Sequence, residues 1–491
     1  MKPEVNLNVG FIQFASSPVH FAGLLEIAHD EFLGGKFIHS AIWGAQTHFP
    51  ARMSENFQTL SGNIPRKIRG ALNTAAPTSD ISAKLQFNAE WVADMTAQFA
   101  PALSELKSVA DFSNLRIGKV NPGPAIANEF VTITKSRNSS PAKNLSLIRA
   151  MLQSYLEVFS ATQLFIFQKS IEKLFLFNGR FLHERAAWDA GKICNIHVLI
   201  FETTRDNLHI RHQGFHDRVN NQRLMLEHWN ALTASEIDRV KVSDQWFANL
   251  RGAKNPFSTD NFQSAEIQKP YILYFSNSDD EAVGFWEHWS QHLGTQVECV
   301  KELIRIIDAQ NEFYLVIRLH PNLATKPMSD QAEWLDLPNS EKVRVINPSD
   351  PISSYSLIQG SQAVITFGST IGIEAAYMSK PVMVLADCKY DELGFAFKPT
   401  SWEAVKQWIG NSKLVTEYEL YEKKTLSRIF GFFVFTGGRR FKYANLEEIG
   451  WGAWAVKDFI GYSWNESSIV KFYRKALLRF KLWRFIRKVK N

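Results

Sequence analysis

Hydrophobic positions near the start of the chain switch between two periods. Val9–Phe14 (VGFIQF) is apolar enough for a buried strand, and ASSPVH breaks it as a polar loop. FAGLLEIAHDEFL then carries apolar residues at helical spacing until Gly34-Gly35 ends it. Phe37–Trp43 predicts a second strand, so the opening is a βαβ pattern and implies a parallel sheet. Residues 51–145 are less regular. Ala83–Phe99 predicts a helix, Pro101 predicts the start of a shorter one, and NPGPAIANE and TKSRNSSPAKN predict loops. Leu145–Lys169 predicts a long buried helix. Alternation then resumes: Lys173–Phe177 as a strand ending in Asn178-Gly179-Arg180, a helix through Ala190 closed by Gly191, and His197–Phe201 as a strand ending in Glu202.

Ala253–Lys269 (AKNPFSTDNFQSAEIQK) is polar and turn-rich and predicts an interdomain linker. Beyond it the alternation is cleaner. Strands are expected at Tyr271–Phe275, Phe313–Leu319, Val343–Ile346, Ala363–Phe367 and Val382–Leu385. Helices are expected at Ala282–Leu293, Val297–Ala309, Ile352–Gln359 and from the GST turn at residue 368. Near-continuous apolar strands between helices indicate an α/β fold with doubly wound sheets, covered on both faces. Two such domains in tandem would leave a cleft between them. The expected division is 1–262, 263–412 and a C-terminal helical segment 413–491.

Composition narrows the class. Of 491 residues, 45% are hydrophobic and 21% charged, which excludes a disordered chain, a collagen and a coiled-coil rod. Mean hydropathy is −0.18, and the longest apolar run, Ile429–Phe435, contains a glycine and is far short of a membrane span. The start, MKPEVNLNVG, lacks the apolar stretch of an export signal. Cys194, Cys299 and Cys388 are too few and too scattered for a disulfide framework, which points to a reducing, cytoplasmic compartment. The net charge of +6 belongs to the end of the chain: residues 467–491 hold nine Lys and Arg and no acid. The rest has 46 basic against 49 acidic residues, a net charge of −3. That balance disfavours a nucleic-acid partner, which would prefer a basic face on a folded domain.

Candidate chemistry collects at the predicted strand ends. In AVITFGSTIGIEAAYMS a buried strand runs into Gly368-Ser369-Thr370 and then a helix, so free amides and two hydroxyls can receive a phosphate. Glu374, four residues after Thr370, is placed to accept from a ribose. Arg318-Leu319-His320-Pro321 ends another strand, with Arg318 and His320 on one side of its tip. Ser276 and Ser278, in SNSDDE, offer hydroxyls after the first strand of the second domain. The DDE run does not imply a metal, because consecutive carboxylates seldom converge on one ion. In the first domain the strand tips carry Ser16, Ser17 and His20, then Asn178 and Arg180, then Glu202. His20 and Glu202 compete as general base for an acceptor hydroxyl, and Ser17, Asn178 and Arg180 are acceptor-binding candidates by position. His209, His212 and His216 in HIRHQGFH lack a supporting carboxylate or cysteine and read as an exposed polar segment.

Four pieces in order (YFSNSDDE, VIRLHPN, VINPSDPISSYSLI and VITFGSTIGIEAAYMSKPVMVL) make residues 270–400 resemble the bacterial capsule-polysaccharide biosynthesis family and related GT-B glycosyltransferases. The resemblance implies two Rossmann-like domains facing a cleft, no cofactor and no metal. It implies transfer of a sugar from a nucleotide-sugar donor, with a CMP-sugar such as CMP-Kdo favoured, to a surface polysaccharide, lipopolysaccharide or other lipid-linked glycan. In that family an HP motif and a Ser-Ser/Thr pair bind the donor phosphate, which implies that role for His320 and for Ser369 and Thr370. The Asp/Glu-Asp/Glu-Gly base motif of bacterial sialyltransferases is absent here. CDP-polyol phosphotransfer and non-catalytic nucleotide or glycan binding are the competing readings. The tail, SSIVKFYRKALLRFKLWRFIRKVKN, has an aromatic and a basic helical face and is expected to lie on an anionic inner-membrane surface.

Overall fold

The structure is a computed structural model. It describes residues 7–13, 18–42, 71–77, 80–82, 85–204, 207–211, 217–231, 235–252, 270–278, 283, 290–450, 453–460 and 462–463. The expected linker 253–269, most of the expected helix 282–293, and the basic tail 467–491 lie outside the described residues. The chain forms two compact units. One comprises Met1–Thr134, Ser139–Phe215 and Gly438–Asn491; the other comprises Lys135–Asn138 and His216–Gly437.

The first unit is built on a seven-stranded sheet. Its strands are β1 (Asn8–Gln13), β2 (Phe37–Ile42), β3 (Asp80–Ser82), β4 (Lys173–Phe177), β5 (His197–Thr204), β6 (Asn207–Arg211) and a returning strand, Arg439–Arg440, in the order return-β6-β5-β4-β1-β2-β3. β1 to β5 pair in parallel; β6 and the returning strand are antiparallel. Helix α1 (Pro18–Leu33) follows β1 and buries Phe21, Leu24, Leu25 and Ile27. Helices α2 (Ala89–Ser104), α3 (Gly123–Thr134), α4 (Leu145–Gln168) and α5 (Leu182–Ile193) complete the unit's larger elements before β5.

Three local expectations are corrected here. NPGPAIANE is not a loop: Gly123-Pro124 opens α3, where a proline costs no helical hydrogen bond, and ten successive residues from Gly123 to Thr132 are buried. Pro101 does not start a new helix; α2 continues through it, burying Val92, Met95, Phe99 and Leu103 at spacings of three and four. Gly191 does not close α5 but lies inside it, where a Cβ would stand 2.5 Å from Val198 Cγ2. Close approach of helix to sheet, not chain reversal, requires the glycine.

The second unit carries six parallel strands, β7 (Tyr271–Phe275), β8 (Tyr314–Arg318), β9 (Val343–Ile346), β10 (Ala363–Thr366), β11 (Val382–Val384) and β12 (Ala396–Phe397), in the order β12-β11-β10-β7-β8-β9. β7, the first in sequence, sits in the middle. All five of its residues are buried, as a strand covered on both faces requires. The two apolar layers, one around Leu273, Val364 and Ile373 and one around Ile272, Leu303 and Ile365, lie on opposite faces.

The unit boundaries differ from the expected 262/263 and 412/413 because of side chains that composition does not reveal. Helices α6 (Arg218–Ala231) and α7 (Glu236–Gly252) precede the linker yet pack in the second unit. Arg218 pairs with Asp387 at 3.1 Å, Asp391 at 2.7 Å and Glu392 at 2.9 Å; Lys398 joins Asp391 at 2.7 Å; and Phe247 stacks on Tyr377. Nor is 413–491 a helical segment throughout. A long helix, Glu417–Thr436, is followed by the returning strand and an antiparallel ladder of Ala444–Gly450, Ala453–Phe459 and Tyr462–Ser463. Glu26, fully buried on α1, pins this return: its carboxylate accepts from the amides of Lys442, Tyr443 and Ala444 and pairs with Arg439 at 3.2 Å. No helix among the described residues is long and apolar enough to cross a membrane.

Asp391 is fully covered and shares two cations, so its removal leaves Asp387 as the one buried carboxylate for both Arg218 and Lys398. Asp391→Ala is expected to destabilise the protein by about 3 kcal/mol, read as a lowered midpoint in urea unfolding.

Candidate functional site

In an open parallel sheet, loops leave the carboxyl edge in opposite directions where the strand order reverses, and a crevice opens there. In the second unit this point lies between β7 and β10. The loops after β7, β8 and β10 carry Ser276 and Ser278, His320, and Gly368 to Thr370.

Hydrogen bonds join these loops. Asn277 Nδ2 donates to the Phe367 carbonyl at 3.0 Å, across the reversal point. The Asn277 amide donates to Gln296 Oε1 at 2.5 Å, which also receives the Tyr274 hydroxyl at 3.2 Å. The His320 amide donates to Ser276 Oγ at 2.7 Å, and Asn322 Nδ2 to Ser278 Oγ at 3.5 Å. Ser276 and Ser278 are buried and hold the loops to one another. Asn277, Gln296 and Asn322 were not singled out from sequence. An asparagine between two serines after a strand was the available signal.

Gly368 turns the chain after β10 with φ +106°, a conformation that L side chains rarely adopt. A Cβ there would stand 2.9 Å from Cys388 Cβ. The Gly368 amide donates to Thr366 Oγ1 at 3.1 Å, and the Ser369 carbonyl accepts from Tyr390 at 2.7 Å. Thr370 precedes helix Ile371–Tyr377 but makes no side-chain cap, and no described group accepts from the amides of Ser369 and Thr370. The turn therefore presents two backbone donors and two hydroxyls together, a concavity suited to an anion.

His320 opens a single 3₁₀ turn, and its Nδ1 accepts from the Asn322 amide at 3.1 Å. That bond leaves the ring proton on Nε2 and makes Nε2 a donor. Arg318 is differently committed. It is buried, and its two terminal nitrogens donate to the carbonyls of Asn347 and Asp350, the latter at 3.1 Å, tying β8 to the loop after β9. Desolvation lowers its pKa against the opposing charge of Asp350. Glu374 accepts from the Tyr355 hydroxyl.

In the first unit the order reverses between β1 and β4, and the candidates gather at that edge. Ser16 and Ser17 lie outside the described residues. His20 is in the first turn of α1; its Nδ1 is 2.6 Å from Thr203 Oγ1, and its ring stacks on Phe177 at 4.0 Å between centroids. Asn178 has φ +55° and donates its side-chain amide to Glu202 Oε1. Its own Oδ1 receives the Arg180 amide at 3.1 Å, and the Arg180 guanidinium lies over Phe181. Glu202 is not at a strand end: β5 runs on to Thr204 and pairs with antiparallel β6, with Glu202 opposite His209. His209 is buried in β6 and is not part of an exposed segment; His212 and His216 lie outside the described residues. Among the described residues no three His, Cys, Asp or Glu side chains group as a metal site.

No protein-family model and no curated protein matches the chain. Solved structures do. A β-Kdo 2,4 transferase, KpsC of Thermosulfurimonas dismutans, shares 12% identity over 52% of this chain and 79% of its own, with a TM-score of 0.34. The β-Kdo 2,7 transferase of the same organism's KpsC shares 14% over 65% and 89%, with a TM-score of 0.34. A UDP-GlcNAc 2-epimerase from Neisseria meningitidis shares 12% over 87% and 98%, with a TM-score of 0.29.

Two outcomes are expected. Burial lowers the His20 pKa from 6.5 to about 4, so the ring is neutral at physiological pH. The stability from this burial is present above about pH 6.5 and lost as pH falls toward 4. NMR of the His20 ring should therefore show no protonation until near pH 4; a midpoint near 6.5 would refute the buried placement. Separately, Gly368→Ala should lower stability by about 1–3 kcal/mol, seen as a reduced melting temperature, from backbone strain and the Cys388 contact.

Proposed function

We propose that this protein is a GT-B glycosyltransferase that moves a sugar from a nucleotide-sugar donor, a CMP-sugar such as CMP-Kdo, to a bacterial surface polysaccharide or lipid-linked glycan. The observation that carries this reading is the Gly368–Thr370 turn at the strand-order reversal, in a loop cluster shared with His320, where no described group accepts from the amides of Ser369 and Thr370.

In this reading the donor phosphate rests on the amides and hydroxyls of Ser369 and Thr370 and receives Nε2–H of His320. Glu374 accepts from the ribose. Ser276, Ser278 and Arg318 act behind the contact by fixing the loops and the strand end. An acceptor hydroxyl, oriented by Ser17, Asn178 and Arg180, gives its proton to Glu202 while its oxygen bonds the anomeric carbon. The bond from that carbon to the phosphate oxygen breaks, and its electrons leave with the nucleotide. His20, neutral and held by Thr203, shapes the acceptor side. Donors already in place where charge develops are worth about 3 kcal/mol each, because they need no reorganisation during reaction. We place the protein in the cytoplasm, with the nine cations of residues 467–491 on an anionic inner-membrane surface.

A thermal-shift panel of CMP, CDP, UDP, GDP and dTDP tests the cradle. The matching nucleotide at about a hundred times its dissociation constant should add about 2.7 kcal/mol of stability. Ser369→Ala with Thr370→Ala should weaken that binding about tenfold, or about 1.4 kcal/mol. Isotope should move from a labelled CMP-sugar and not from CDP-glycerol. A panel in which nothing binds would remove the transferase reading.

A further inference from the structure

The carboxylate that a ribose would meet is held by a side chain to which the reaction as proposed gives no part. Glu374 stands one helical turn beyond Thr370, on helix Ile371–Tyr377, and accepts a hydrogen bond from the Tyr355 hydroxyl. Tyr355 comes from a different element, helix Ser354–Gly360, which follows β9 and leads into β10. The contact therefore joins two successive strand connections of the second unit.

The helix that carries Tyr355 is fixed at both ends. Before it, buried Arg318 at the end of β8 donates to the carbonyls of Asn347 and Asp350, and so ties the incoming loop to the strand that leads to His320. Ser353 then caps the helix by accepting the Ser356 amide. Further along, the Tyr271 hydroxyl of β7 donates to the Leu357 carbonyl at 2.7 Å. Lys380, just past the helix of Glu374, donates to the carbonyls of Gln359 at 2.8 Å and Ser361 at 2.7 Å. The Tyr355 ring is half-buried and packs on the apolar layer around Leu273, Val364 and Ile373. Its hydroxyl thus reaches Glu374 from a support that does not move with the carboxylate.

A glutamate side chain has several rotatable bonds, and ordering it only when a ligand arrives costs affinity. A hydroxyl donated to one carboxylate oxygen sets the plane of the group beforehand. A carboxylate has about four acceptor sites, so a single phenol does not fill it. Ribose presents two adjacent hydroxyls as donors, whereas 2′-deoxyribose presents one. A carboxylate already oriented for the pair discriminates against the deoxy sugar, because part of its hydrogen bonding then goes unmet.

We propose that Tyr355 is a positioning residue: its hydroxyl holds Glu374 for a ribose diol and so makes the site select ribonucleotides over 2′-deoxyribonucleotides. This deepens the transferase reading and rests on it, since that reading places the ribose at Glu374.

Titration calorimetry of the full chain tests the proposal, with CMP, CDP, UDP and GDP each set against its 2′-deoxy counterpart. A nucleotide that binds should do so about tenfold more tightly than its deoxy form. Glu374→Gln should bring that ratio close to one. Tyr355→Phe, which keeps the ring in its layer, should lower the ratio about threefold, and should lower it no further in a chain that already carries Glu374→Gln. A purely structural tyrosine would instead reduce the melting temperature and weaken both members of a pair alike. If Tyr355→Phe does not fold, Tyr355→Met, an adaptable apolar side chain, is read in the same way. A wild-type ratio near one, a ratio that Tyr355→Phe leaves unmoved or raises, or one that it lowers equally with and without Glu374→Gln, would overturn the proposal. Those results leave the phosphate cradle standing, because both sugars carry the same phosphates. An absence of all binding removes the transferase reading itself, and this inference with it.

Discussion

The hydrogen bond from Asn277 Nδ2 to the Phe367 carbonyl crosses the point at which the second sheet reverses its strand order. Strands on either side of that point send their helices to opposite faces, so nothing in the sheet ladder itself closes the gap at its edge. Asn277 closes it with its side chain, while its amide and carbonyl engage Gln296. Ser276 extends the bridge to His320. Polar groups buried at a strand edge must be satisfied there, and in this cluster they are satisfied by one another. What remains outward is the Gly368–Thr370 turn, where no described group accepts from the amides of Ser369 and Thr370.

The two units treat the same topological position in opposite electrostatic ways. The second offers donors: backbone amides, hydroxyls and an imidazole whose proton is directed to Nε2 by the Asn322 amide. The first offers a carboxylate, Glu202, which accepts from the Asn178 side-chain amide. A donor-rich edge suits a departing anion, and an acceptor-rich edge suits a hydroxyl that must lose a proton. Each is held by interactions with little to do with ligand: Arg318 is spent on carbonyls and His20 on Thr203 and Phe177.

Two buried carboxylates decide how the chain is partitioned. Asp391, between Arg218 and Lys398, draws α6 onto the second unit from the far side of the polar segment 253–269. Glu26 receives three successive amides at 442–444 and returns the chain's later strands to the first unit. Charges placed this deep cost too much to leave unpaired, so their partners follow them whatever the local composition suggests.

The central parallel strands of both sheets were legible in sequence because a buried parallel strand must be apolar throughout: KLFLF, YILYF and AVIT match β4, β7 and β10, whereas β3, β6, β12 and the returning strand carried no such signal. The turn at Gly368 was legible too, since a left-handed residue before a helix leaves few choices but glycine. Long-range pairing was not. Local pattern gave α2 a break at Pro101 and α3 a loop, where burial decided for helix. It placed Arg318 beside a ligand, although two carbonyls from the loop after β9 claim it, and it passed over Tyr355, which looks like any aromatic of a short helix. Sequence by itself determined the apolar central strands and the glycine turn at residue 368; tertiary structure alone decided which polar groups are already satisfied, because a side chain's partners come from residues tens or hundreds of positions away.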